Sequence, residues 1–150
     1  MLSDKANLFS DLQIPATTEE STSSWHIGNL STGNLGVVQI GTGKAVHAFV
    51  QVQGTPMAGA ATVTAALVVD SVETLDASPL TIHTFPVFAA ASVIGTLRTF
   101  TMPQDIPALG ATDQYYGIVY TVTGTNVGAF DAGFVHDLSV LKKHVGGYVV

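Results

Sequence analysis

A chain of 150 residues that is 47% hydrophobic, 11% charged and free of cysteine cannot rest on disulfides, thiol catalysis or cysteine-ligated zinc. Its 11 acidic and 5 basic side chains give a net charge of −6, and Lys5, Lys44, Arg98 and Lys142-Lys143 lack the clustering that displaces counterions from a phosphate backbone, so no nucleic acid partner is expected. The length fits one domain, and Thr, Gly, Gln or Asp interrupts every apolar stretch before the ~18 residues of a membrane helix, so no membrane partner is expected either.

Residues 1–18 do not alternate and carry Leu8, Phe9, Leu12 and Ile14 among polar neighbours. This stretch reads as an extended N-terminal arm, laid on its own domain or on a neighbouring subunit because four sizeable apolar side chains are costly to leave in water; a disordered terminus is the alternative. Asp4, Lys5 and Asp11 stand where a signal peptide needs a basic start and an apolar run, which predicts cytoplasmic synthesis without processing.

Beyond residue 18 the dominant period is two. Strands are predicted over 22–27, 35–40, 45–53, 62–70, 80–85, 92–102, 114–123 and 129–141, with Gly, Pro, Asn and Asp in the intervals. In 45–53, Val46, Ala48, Val50 and Val52 share one face while His47, Gln51 and Gln53 share the other; in 62–70, Val63, Ala65, Leu67 and Val69 oppose Thr62, Thr64 and Asp70. With Gly54, Pro56 and Gly59 between them, these two segments are expected to form a hairpin or neighbouring strands. About eight short strands and no long amphipathic helix predict an all-β chain, an antiparallel β-sandwich of jelly-roll type over 19–150 with the arm in front of it.

The polar residues offer little for chemistry. His26, His47, His83, His136 and His144 have no metal-binding spacing. His136 and Asp137 would point to opposite faces of a strand, placing His136 with Phe130, Ala132, Phe134, Leu138 and Val140 as a hydrogen-bonded histidine at the core rim. Asp70, Glu73 and Asp76 make a calcium loop conceivable, but the EF-hand pattern and its turn glycine are missing, and a solvated loop is the better reading. Ser31, Ser71 and Ser139 lack a nucleophile elbow, and Gly41-Thr42-Gly43-Lys44 lacks the spacing of a phosphate-binding loop. Trp25, Tyr115, Tyr116 and Tyr120 could stack on sugar, although alternation and core packing account for most of them. The residues therefore assign no catalytic group, cofactor or metal, and no enzyme is expected. A weakly charged, apolar surface is the composition of a domain extensively covered by neighbours.

The opening Met1-Leu2-Ser3-Asp4-Lys5-Ala6-Asn7-Leu8-Phe9-Ser10-Asp11-Leu12-Gln13 resembles the start of the Bbp16-type capsid cement (decoration) proteins of tailed bacteriophages, which begin with a similar Leu-x-Asp-x-x-x-Leu-Phe-Ser-Asp string. Gly59-Ala60-Ala61-Thr62-Val63-Thr64-Ala65-Ala66-Leu67, Tyr115-Tyr116-Gly117-Ile118-Val119-Tyr120-Thr121-Val122 and Phe130-Asp131-Ala132-Gly133-Phe134-Val135-His136-Asp137-Leu138 also resemble that family, whereas the stretches 17–24 and 145–150 depart from it. The resemblance implies a jelly-roll-like virion protein on the outer surface of an icosahedral head. It would clamp neighbouring major capsid protein subunits as a homo-oligomer, dimer or trimer, with no catalytic residue or cofactor. On that expectation Leu8, Phe9, Leu12 and Ile14 are the arm's capsid-binding anchors, and deletion of residues 1–14 leaves a folded domain that no longer binds heads. A head–tail connector or tail structural protein, and a carbohydrate-binding sandwich with an exposed aromatic platform, are the alternatives.

Overall fold

The computed structural model describes residues 8–29, 37–39, 45–103, 105–107, 113–136 and 138. Among the described residues eleven strands follow one another: β1 (Leu8–Gln13), β2 (Glu19–Glu20), β3 (Trp25–Asn29), β4 (Val37–Gln39), β5 (His47–Val52), β6 (Thr62–Asp70), β7 (Leu80–Thr84), β8 (Leu97–Thr101), β9 (Asp105–Pro107), β10 (Asp113–Thr123) and β11 (Phe130–Val135). One sheet has the order β1-β11-β5-β8 and a second the order β2-β10-β6-β7, with β3 also on β10; β4 and β9 form a separate ribbon. All pairings are antiparallel. No helix of the described residues is long and apolar enough to cross a membrane.

The two sheets pack face to face because period-two alternation gives each an apolar face. Phe9, Ala48, Val50, Val52, Phe130 and Ala132 come from one sheet and Val63, Ala65, Leu67, Val69, Tyr116, Ile118 and Tyr120 from the other, all in one buried core. Each large side chain so buried contributes about 1.5–3 kcal/mol.

With β2 and β3 taken as one edge and the β4–β9 ribbon set aside, only the β6–β7 connection stays within a sheet. Every other connection crosses from one sheet to the other, as in a jelly roll. The expected pairing of 45–53 with 62–70 is thereby corrected: β5 and β6 lie in opposite sheets. Their link is too long for the two-residue turn that enforces a hairpin. It carries Gly54 and Gly59 at φ of 67° and 73° and drops Met57 into the core as it crosses.

The outward faces are also partly covered. Phe49, Gln51 and Val68 are buried although they point away from the core face. Over β10 the cover is Leu75, in a left-handed conformation at φ 59° and 1% exposed. A Cβ at Gly117 would overlap the Leu75 side chain, which would have to shift to admit one. Asp70 holds this loop by accepting the backbone N–H groups of Ser71, Ala77 and Ser78 at 2.6, 3.1 and 3.2 Å.

The described part of the predicted arm lies on its own domain. β1 pairs with β11, Phe9 is 1% exposed, and its ring meets Phe134 edge-on at 4.9 Å. The sandwich therefore includes residues before 19, and a deletion of 1–14 would remove an edge strand and a core aromatic. The strand predicted over 129–141 ends at Val135, leaving His136 exposed beyond it rather than at the core rim. The strand predicted over 92–102 begins only at Leu97, after a turn with Gly95 at φ 88°. Ser31, the 41–44 glycine turn, Asp137, Ser139, Val140, Lys142-Lys143, His144 and the 145–150 ending fall outside the described residues.

Replacing Phe9 by Ala is expected to cost about 3–5 kcal/mol, and Gly117→Ala about 1–3 kcal/mol through overlap with Leu75. Urea denaturation followed by circular dichroism measures both; a loss below about 1 kcal/mol for Phe9→Ala would mean that β1 adds little to the fold.

Candidate functional site

Several of the described residues that could carry chemistry are absorbed into the framework. His26 stacks on Tyr115 across β3 and β10, with centroids 4.6 Å apart and planes 19° from parallel. His47 Nδ1 lies 3.0 Å from Thr101 Oγ1. His83 stacks on Phe100 at 4.0 Å, and burial holds its pKa below the ordinary value. Asp70 is 1% exposed and committed to its loop, while Asp76 accepts the Thr74 hydroxyl at 2.7 Å. Among the described residues no three His, Asp or Glu side chains are grouped to hold a metal ion.

The aromatics pack inward as well. Tyr116 and Tyr120 are fully buried, and burial pushes both phenols far above their ordinary pKa. Trp25 leans edge-on against Phe134 at 5.3 Å. Trp25, Tyr116 and Tyr120 therefore do not form an exposed platform. Tyr120 OH donates to Ser10 Oγ at 2.9 Å, Ser10 Oγ donates to Gln13 Oε1 at 2.8 Å, and Gln13 Nε2 donates to the Glu20 carbonyl at 2.8 Å. This chain of hydrogen bonds ties β10, β1 and β2 together and closes that side of the sandwich.

What the fold presents outward is one of its two ends. Gln13, Val52, Leu97 and Phe130 lie at the same end of the first sheet by register, and Thr62 pairs with Thr123 at that end of the second. Four segments therefore converge there: 14–18, 53–61, 85–96 and 124–129. Hydrogen bonds stitch them in a row. Asn126 Nδ2 donates to the Pro15 carbonyl at 3.0 Å, Ala129 N to Thr55 O at 3.0 Å, Met57 N to Ser92 O at 3.0 Å and Gly95 N to Val52 O at 2.8 Å.

These four segments contain no Asp, Glu, Lys, Arg or His. Exposed on or beside them are Leu12, Ile14, Val87, Val93, Ile94 and Val127, with Val93 reaching 67%. Ala58, Ala60, Ala89, Ala90 and Ala91 are exposed as well. Single exposed apolar residues are ordinary, but here they concentrate where the connecting segments themselves carry no charged residue. Leu80, the other large exposed apolar residue among those described, sits at the opposite end, where β7 begins beside Val69.

Of the four arm residues, Leu12 and Ile14 belong to this end, half exposed each. Leu12 is turned outward by a register shift in β1 and a φ of 53°, with its N–H held by Asp131 Oδ1 at 2.8 Å. Leu8 is half-buried and Phe9 belongs to the core. Sequence reading missed Val87, Val93, Ile94 and Val127 because each lies in a short connecting segment. The available signal was the lack of charge shared by four turns, since connecting segments in water are ordinarily polar.

Burial raises the pKa of Asp131 above the usual carboxylate value, the Leu12 N–H opposes that shift and the Asp11 carboxylate adds to it. A folded pKa above the unfolded one means that the folded state binds its proton more tightly, so this group adds stability as pH falls through its folded pKa and opposes folding once ionised. Asp131→Asn is expected to abolish that contribution, which comparison of urea midpoints for the two proteins between about pH 4 and pH 7 will measure. An unchanged difference in midpoint across that range would contradict the assignment.

Comparison with family models and with curated proteins returns no match.

Proposed function

We propose that this chain is a structural decoration protein of a phage head, a cement that docks its charge-free loop end on the outer capsid surface and bridges neighbouring major capsid protein subunits. The observation that carries the reading is the convergence of four segments without a charged residue, with Leu12, Ile14, Val93 and Val127 exposed on or beside them. The resemblance of the opening Leu2–Asp11 string to the cement family supplies the kind of partner. Leu12 and Ile14 act as contact residues together with Val93, Ile94 and Val127, while Phe9 holds β1 to the core behind them.

The mechanism is linkage. A protein that binds the assembled shell better than the free subunits stabilises assembly, and a modest free energy per copy is multiplied over the many equivalent positions of the shell. No reaction is required of any side chain, and the exposed apolar area lost to water on docking provides the favourable term.

The test is co-sedimentation with purified heads that lack the protein. Wild-type chain is expected to bind to saturation, and a Val93→Asp, Val127→Asp double variant to bind at least about tenfold more weakly, because each substitution forces a carboxylate out of water. The variant's thermal melt should match the wild type, since both sites are exposed. Normal occupancy by the double variant, or no binding by the wild-type chain, would overturn the proposal.

A further inference from the structure

Ser10 pairs with Ala132 and Gln13 with Phe130, so Asp11 and Leu12 together stand opposite Asp131, two residues against one, which is a bulge. Both sides of the bulge are anchored. Ser10 Oγ accepts the Tyr120 hydroxyl at 2.9 Å and donates to Gln13 Oε1 at 2.8 Å, while Gln13 Nε2 donates to Glu19 Oε1 at 3.0 Å and to the Glu20 carbonyl at 2.8 Å. Between these anchors Leu12 is in the left-handed region at φ 53°, a conformation that costs a leucine free energy. Its N–H is bound by a side chain, Asp131 Oδ1 at 2.8 Å. Its own side chain rests over Gly54, where a Cβ would stand 2.9 Å from Leu12 Cδ2.

Asp131 is 7% exposed. Across the sheet its row continues as Gln51 on β5 and Leu97 on β8, with Asp11 and Leu12 on the β1 side. Gln51 is 1% exposed, and its Nε2 finds no hydrogen-bond partner among the described residues, so the amide beside Asp131 does not compensate a charge there. Leu97 is apolar, and Asp11 carries the same sign as an ionised Asp131. A carboxylate taken out of water with so little compensation is costly. The way to water leads through the bulge, since Leu12 is itself 52% exposed.

We propose that Asp131 and Leu12 form a proton-linked latch at the end of β1: with Asp131 protonated Leu12 stays seated over Gly54, and with Asp131 ionised the Asp11–Leu12 bulge swings out. Opening releases one proton from the Asp131 carboxyl to solvent, breaks the Leu12 N–H bond to Oδ1 and lets Leu12 leave the left-handed region. Water then reaches both the carboxylate and Gln51 Nε2. The seated form holds the Asp131 proton more tightly than a carboxyl in water does. Protons therefore favour the seated form, and ionisation favours the open one. The anchors at Ser10 and Gln13 confine the motion to the two residues between them. The latch is a property of the isolated chain and does not rest on the shell reading.

Amide hydrogen exchange of the isotopically labelled full chain, followed by NMR from about pH 3 to about pH 8 and divided at each pH by the intrinsic rate of the unfolded sequence, reads the opening. Leu12 should exchange faster than Val50 in the middle of the same sheet, which marks the opening as local. Its protection should fall at least about threefold as pH rises, with the midpoint at which the side-chain carboxyl carbon of Asp131 titrates. Asp131→Asn, whose amide oxygen can accept the Leu12 N–H but cannot ionise, should show constant Leu12 protection over the range. The wild-type readings decide the matter even if that variant fails to fold. Leu12 protection that is flat with pH, that equals the protection of Val50, that falls with a midpoint apart from that of Asp131, or that falls alike in Asp131→Asn would each overturn the proposal.

Discussion

Two sheets, each apolar on one face, can shed water only against one another, and here the chain meets that requirement by changing sheet at almost every connection. β5 leads to β6 across an open end, and β8, β10 and β11 continue the same crossing habit. The connections therefore serve as lids on the ends of the core as well as links between strands. Met57 from one of them and Phe88 from another are buried in the main core, and Leu75 covers the outer face of β10 above Gly117.

That arrangement also explains why the two long sides differ. On one side, β1 and the β2–β3 edge are bound together by Ser23 N to Phe9 O at 2.9 Å and by the polar chain through Tyr120, Ser10 and Gln13. A buried hydroxyl without a partner costs about 1–3 kcal/mol, and Ser10 and Tyr120 satisfy one another across residues far apart in the chain. On the other side the sheets meet through the His83–Phe100 stack and the Arg98 contacts with 86–88.

Much of the framework was legible from the alternation of side chains. The 62–70 and 114–123 segments read as strands and are strands, because inward Val63, Ala65, Leu67, Ile118 and Tyr120 recur at every second position, with Thr62, Thr64 and Thr121 on the alternate ones. Alternation says which way a side chain points and not which strand lies beside it, so the partnership of β5 could not be read. β1 escaped because its register shifts break the period and its buried Ser10 is balanced by a tyrosine 110 positions away. The strand ending at Val135 was overextended because Leu138 and Val140 continue the apolar period after the pairing has stopped. The loop end was the least legible part. Its signal is a shortage, spread over four segments, and only the fold brings them to one place.

The absence of charge at that end has a kinetic meaning. Oppositely charged surfaces find each other through long-range fields that raise encounter rates by orders of magnitude and fade as salt screens them. Segments built from Ala, Val, Thr, Gly and Pro offer no such field. A partner that docked on them would be met by undirected diffusion, at roughly 10⁵–10⁶ per molar per second, and retained by the exclusion of water. Binding held in that way would weaken on cooling and strengthen in sulfate. Selectivity under those conditions comes from how long a fitted surface stays in place rather than from how quickly it arrives.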